Sequence, residues 1–239
     1  MAETPEPTAE TAPEERDRRL ARSLRGFGPL GFLSILVIVL TGNVAIAPMV
    51  FVPVGALLAL EWVRQSRTPW RDLGFVRPRS WAATILGGIA AGAAFKLLMK
   101  SVVMPLFGAD PVNQAYHFLA GNRALLPVAA LAMVNAGFSE ETVFRGFGFE
   151  RLGRLLGSAP WARAATVIII SALFGLAHWP NQGVSGVQQA TITGLVIGTI
   201  YAATRQLPFV MILHASFDLT ALALIYGNLE TRVAHWFFR

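Results

Sequence analysis

The chain has 239 residues, is 54% hydrophobic and only 14% charged, and has a mean hydropathy of +0.52. A soluble domain of this length carries roughly 25% charged residues, so the composition excludes an ordinary water-soluble domain and points to an integral membrane protein. The lack of cysteine excludes disulfides, thiolate metal ligands, a Cys nucleophile and a Cys-linked lipid. The surplus of Lys and Arg, 20 against 14 acids, reads as cytoplasmic loops rather than as a nucleic-acid surface.

The opening stretch, "MAETPEPTAETAPEERDR", is rich in Glu, Pro, Thr and Ala and lacks large apolar residues. Such a composition buries no core and predicts a disordered cytoplasmic tail over 1–25, ending in Arg16, Arg18, Arg19, Arg22 and Arg25. It is too acidic and Pro-rich for a signal peptide. The apolar run that follows is too long for one crossing, which takes about 20 residues. The "TGN" at 41–43 divides it into helices over 27–41 and 44–63. A basic loop at 64–79 with Trp70 suits the cytoplasmic membrane surface, and a third span follows over 81–107. In that span Gly87, Gly88, Ala91, Gly92 and Ala94 allow close helix packing. Lys96 and Lys100 share a face near its far end and are expected to snorkel to the outer interface.

A polar connection at 108–123 leads to a fourth span starting near Leu125, then to spans near 161–178, 184–203 and 207–226. The expected fold is all-α, a polytopic membrane bundle of about seven to eight transmembrane helices over 26–228 with its chemical core over 124–226. The last segment, 229–239, alternates aromatic and basic residues and reads as an interfacial tail. The leading tail and the 64–79 loop hold five arginines each, which puts the amino terminus of a multi-pass cell-membrane protein in the cytoplasm.

Ionisable groups inside a membrane cost a few kcal/mol by insertion scales, so each needs a reason. Glu141 and Arg145 are four apart and pair on one helix face, while Glu140 is turned about 100° away. Ser139 is a candidate cap for a helix starting there, and Asn135 to Gly137 a candidate break. A surface ion pair on a helix leaving the membrane is the plain alternative. His178 ends an apolar span, where an interfacial role competes with a chemical one. His214 and Asp218 lie one turn apart within an apolar span, where a structural reason is harder to find. Three spans thus supply acid–base groups able to bind a metal, relay protons or activate water. There is no His-Glu-x-x-His helix and no Gly-x-Ser-x-Gly elbow.

The ordered set Glu140-Glu141-x-x-x-Arg145, Phe174-x-x-x-His178 and His214-x-x-x-Asp218 resembles the motifs of the CPBP family. These are the CAAX prenyl proteases and the bacteriocin-processing or immunity intramembrane proteases. The resemblance covers about 135–220. The prenyl-protease branch usually ends its last motif in Asn, where this chain has Asp218, as bacterial branches do. The resemblance implies an intramembrane endopeptidase acting on a peptide or a membrane-associated protein. It makes Glu140 the general base on water, with His178 holding that water. His214 and Asp218 would complete the site, His214 as donor to the oxyanion and Asp218 as its orienter. Glu141 with Arg145 would support the helix. His178, His214 and Asp218 are also the candidate ligands if zinc takes part. A proton-coupled transporter and a non-catalytic immunity or scaffold protein are the competing readings. In a simple crossing count His178 falls near the outer end of its span and Glu140 and His214 nearer the cytoplasm. A shared site therefore needs a short or broken helix, at Asn135 to Gly137 or at "HWPNQG".

Overall fold

The computed structural model describes residues 12–44 and 46–238, whose regular structure is all helical, with no strand among them. The tail expected to be disordered to residue 25 is instead helical from Ala12 on, as α1 (Ala12–Arg25), while 1–11 lie outside the described residues. Glu14 and Glu15 in its first turn and Arg22 and Arg25 in its last complement the helix dipole. Glu15 and Arg19 pair at 2.6 Å. The end of α1 is tied to the bundle. Trp62 Nε1 donates to the Leu24 carbonyl at 3.2 Å, and Arg151 donates to the carbonyls of Arg25 and Gly26 at 2.8 and 2.7 Å.

After a 61° bend comes α2 (Pro29–Gly42), then α3 (Pro48–Gln65), each with a proline in its first turn where the missing N–H costs nothing. The two helices cross at Gly42 and Gly55, where a side chain on Gly55 would run into the Gly42 backbone. The basic loop is anchored to the bundle at Leu73 and Gly74, while its arginines and Trp70 remain exposed. A 3-10 turn over Trp70–Leu73 ends at Gly74, with φ +82°, whose carbonyl accepts from the Leu207 N–H at 2.9 Å. A side chain there would meet the Tyr201 ring.

Ser80 caps α4 (Trp81–Leu98), accepting from the Ala83 N–H at 3.2 Å. A π turn over Met99–Val103 joins α4 to the short α5 (Met104–Leu106). The small residues of α4 do what the sequence suggested: a Cβ on Gly92 would strike the Leu213 carbonyl of a neighbouring helix. Lys96 and Lys100 do not snorkel. They are 5% and 9% exposed, because partners distant in sequence hold them inside: Gln189 at 3.0 Å from Lys96 Nζ and Glu230 at 2.9 Å from Lys100 Nζ.

α6 (Leu126–Glu141) passes into a π segment, Thr142–Gly148, and then into α7 (Phe149–Leu156). The expected break at Asn135 to Gly137 and the cap at Ser139 do not occur. Ser139 is in mid-helix, its hydroxyl donating to Asn135 Oδ1 at 3.1 Å. Next are α8 (Pro160–Ala177), α9 (Trp179–Thr204), α10 (Leu207–Tyr226) and the short α11 (Glu230–Ala234). Gly183 interrupts the start of α9 with φ 58° and ψ −153°, a conformation suited to glycine. Each of the seven expected spans therefore contains a helix. Three of them, Trp81–Leu106, Pro160–Ala177 and Leu207–Tyr226, are long and apolar enough to cross a membrane alone, and a fourth if the bent α1–α2 pair counts as one. The described residues thus form an all-helical fold with helices apolar enough to cross a membrane.

Candidate functional site

Gly137 sets the geometry of the site. A Cβ there would lie 2.6 Å from the Ala215 backbone nitrogen, so only glycine lets α6 approach α10 this closely. Glu140 and Glu141, one turn further along α6, are thereby brought against His214, one residue before Ala215. From α8, Phe174 places its ring 5.8 Å from the His214 ring and 4.7 Å from the His178 ring. The helices reach this point after unequal lengths. Phe174 lies about 21 Å of helix beyond Pro160 and His214 about 10 Å beyond Leu207, at 1.5 Å per residue. α6 runs unbroken to the glutamates, so no break at Asn135 to Gly137 is needed for the groups to meet.

Glu141 is the most enclosed member. It and Arg145 are both 0% exposed. Its Oε1 accepts from Arg145 Nη1 at 2.8 Å and faces His214 Nδ1 at 2.7 Å. Arg145 Nη2 donates to the Gly194 carbonyl of α9 at 3.3 Å, and its guanidinium stacks 4.5 Å over the Phe174 ring. One buried ion pair thereby connects α6, the π segment, α8, α9 and α10. The expected Glu141–Arg145 pair is present. The orienter of His214 is a correction: Glu141, not Asp218, takes the Nδ1 hydrogen bond. Since a carboxylate only accepts, Nδ1 carries the proton and Nε2 faces the other way. Nε2 lies 3.6 Å from Asp218 Oδ2 and 3.9 Å from Glu140 Oε2, a spacing suited to water-mediated contact rather than direct bonds.

His178 closes α8, with its backbone N–H on the Gly175 carbonyl at 3.0 Å. Its Nδ1 is 2.8 Å from the Phe174 carbonyl, which also only accepts, leaving Nε2 as an acceptor. Glu140, His178, His214 and Asp218 line one cavity of about 120 Å³. At roughly 30 Å³ per water in the liquid, it has room for about four waters or a short piece of peptide.

The cavity has further polar lining that the motifs do not mark. Tyr116, Asn113, Gln182, Gln189 and Lys96 all face it. Gln182 Nε2 donates to the Tyr116 hydroxyl at 3.3 Å. Tyr116 stands in the connecting loop. Burial, reinforced by the Asp218 and Glu140 carboxylates, pushes its phenol up to about 12, so it remains a neutral O–H donor at physiological pH. Only Lys96 carried a signal in the sequence, a charge within an apolar helix. Asn113, Tyr116 and Gln182 stand in polar stretches, and Gln189, beside Gln188 in the 184–203 span, is an uncharged polar residue that marks no motif.

The zinc set fares less well. His178 and His214 each bind a carbonyl or carboxylate through Nδ1, as metal-bound histidines do. Yet no three His, Asp or Glu side chains among the described residues are arranged to hold a metal ion. The residues as placed do not fit zinc, and no step is routed through it.

Residues 122–220 match the model of a protein family described as type II CAAX prenyl endopeptidase Rce1-like. No curated protein and no solved structure matches the chain. The matched stretch holds Glu140, Glu141, Arg145, Phe174, His178, His214 and Asp218, and over it the chain is similar to this family of CAAX prenyl endopeptidases.

Proposed function

We propose that this protein is a multi-pass intramembrane endopeptidase, amino terminus in the cytoplasm, that hydrolyses a peptide bond with water activated by Glu140. One observation carries the reading. Acid–base groups from three separate helices, α6, α8 with its cap, and α10, line a single small cavity. Meanwhile the neighbouring carboxylate Glu141 is locked away in an ion pair. Two adjacent glutamates with such different surroundings are suited to different tasks. Glu140, its side chain 17% exposed, takes a proton from the water. His178 accepts a hydrogen bond from that water through Nε2. The water oxygen attacks the carbonyl carbon, and the oxygen that becomes negative takes a hydrogen bond from Nε2–H of His214 as the imidazolium, whose Nδ1–H stays on Glu141. Glu140 then passes the proton to the leaving nitrogen as the C–N bond breaks. Glu141 fixes the orientation of the imidazole, and Asp218, 3.6 Å from Nε2, adds a second carboxylate beside the ring on the cavity side.

The experiment is peptide cleavage by purified protein in detergent, with and without a chelator, beside a Glu140→Ala variant. Cleavage by the parent and none by the variant is expected. Equal cleavage by both, or none by either, sinks the reading.

A further inference from the structure

The two buried lysines of the α4–α5 region are treated differently by the fold. Lys100 Nζ is neutralised by Glu230 at 2.9 Å, and Glu230 also accepts from the Asn113 N–H at 3.1 Å. Lys96, 5% exposed, has no carboxylate within salt-bridge distance among the described residues. It has the Gln189 amide oxygen at 3.0 Å and the face of Phe217, 4.7 Å from Nζ to the ring centroid. An ammonium carries three donors, and Gln189 uses one. A buried charge with no directly bonded carboxylate, only Asp218 and Glu230 at longer range, is costly, so its retention calls for a partner that arrives from outside.

Its position says what the partner is. Lys96 lines the cavity that holds Glu140, His178, His214 and Asp218, and also lines a second cavity of about 150 Å³ on the far side. The two share Lys96, Asn113, Gln182, Gln189, Ala221 and Ile225, so this lysine stands at their junction among neutral amides and apolar side chains. The acids nearby are accounted for. Glu230 is committed to Lys100, and Asp110 to the Val112 N–H and Gln114. Asp218 and Glu140 face the first cavity, on the reaction side. A substrate running from the reaction side into the second cavity would lay whatever lies next to its cleaved bond against Lys96.

Building on the proteolytic reading above, we propose that Lys96 is a specificity residue that binds a carboxylate of the peptide substrate, either its terminal carboxylate or an Asp or Glu side chain near the cleaved bond. Asn113 and Gln189 complete the subsite by offering amide N–H groups, and the charge-assisted bond from Nζ supplies the discrimination.

The test uses the full chain in detergent and three peptides of one sequence: a free acid, a terminal amide, and a terminal amide ending in Glu. Each is assayed for kcat/KM with the parent, Lys96→Met and Lys96→Arg, and for binding to Glu140→Gln without turnover. The parent is expected to favour a carboxylate-bearing peptide over the plain amide by about tenfold to a hundredfold, largely in KM. Lys96→Met should bring that ratio to near one, and Lys96→Arg should keep most of it. Which of the two carboxylate peptides is favoured tells terminal from side-chain recognition. Equal cleavage of all three peptides by the parent, or a preference that survives in Lys96→Met, overturns the inference and leaves the protease reading standing. Failure of the parent to cleave any peptide, with no binding by Glu140→Gln, overturns both.

Discussion

Replacing Glu141 by glutamine changes one charge and almost no shape, at the point where five segments of the bundle meet. Its Oε1 serves Arg145 at 2.8 Å and His214 at 2.7 Å, and neither Glu141 nor Arg145 is exposed. In Glu141→Gln the guanidinium keeps the Gly194 carbonyl and the Phe174 face but loses its counter-charge. Breaking a buried pair from one side costs about 3–5 kcal/mol, a large part of the roughly 5–15 kcal/mol that holds a typical fold together. For a chain of this size about 2–4 °C is lost per kcal/mol, so the melting temperature should fall by about 6–20 °C. Tryptophan fluorescence during heating in detergent reads this directly, since the chain has six tryptophans. The cause is checked by Glu141→Gln combined with Arg145→Met. That pair removes the stranded cation as well, so it should lose less than the two single losses added together. A fall below about 2 °C in Glu141→Gln, or simple additivity in the double variant, would refute the view that this ion pair ties the bundle together.

Glu140→Gln should lower turnover by about 10²–10⁴-fold, the usual worth of a positioned acid–base group, while the melting temperature stays within about 2 °C; near-normal turnover would remove Glu140 as the base. Gly137→Ala places a methyl 2.6 Å from the Ala215 nitrogen, and overpacking of about 1–3 kcal/mol should lower both melting temperature and turnover. An unchanged variant would mean that α6 and α10 do not meet there. A chelator should leave the turnover of purified protein unchanged. Stoichiometric zinc, lost together with activity and restored with it, would overturn the metal-free route.

The helices were legible because apolar runs and their punctuation are local properties. The helix Leu207–Tyr226 matches the span expected near 207–226. What the sequence withheld depends on rotation and depth. In a membrane bundle, faces turned to lipid and faces turned to neighbours are both apolar, so periodicity does not say which way a helix points. Gly137 looked like a place where the chain loosens; it is a place where two helices touch. Asp218 looked like the partner of His214 because it is one turn away. Glu141, 73 residues distant in the chain, holds the ring instead. Lys100 looked like a snorkelling lysine because its partner, Glu230, is 130 residues away.

The π segment at Thr142–Gly148 has a consequence for tolerance to length changes. It lies between a helix that must present Glu140 and Glu141 to α10 and a helix that must present Arg151 to the carbonyls of Arg25 and Gly26. Each residue of α-helix turns the chain by about 100°, so the widened turns fix the angular offset between these two duties. Deleting a single apolar residue inside the segment would leave the hydropathy profile almost untouched. Yet it would swing Phe149–Leu156 about a quarter turn out of phase, releasing α1 from the bundle or dragging the glutamates off His214. In this span, the number of residues is under tighter constraint than their identity.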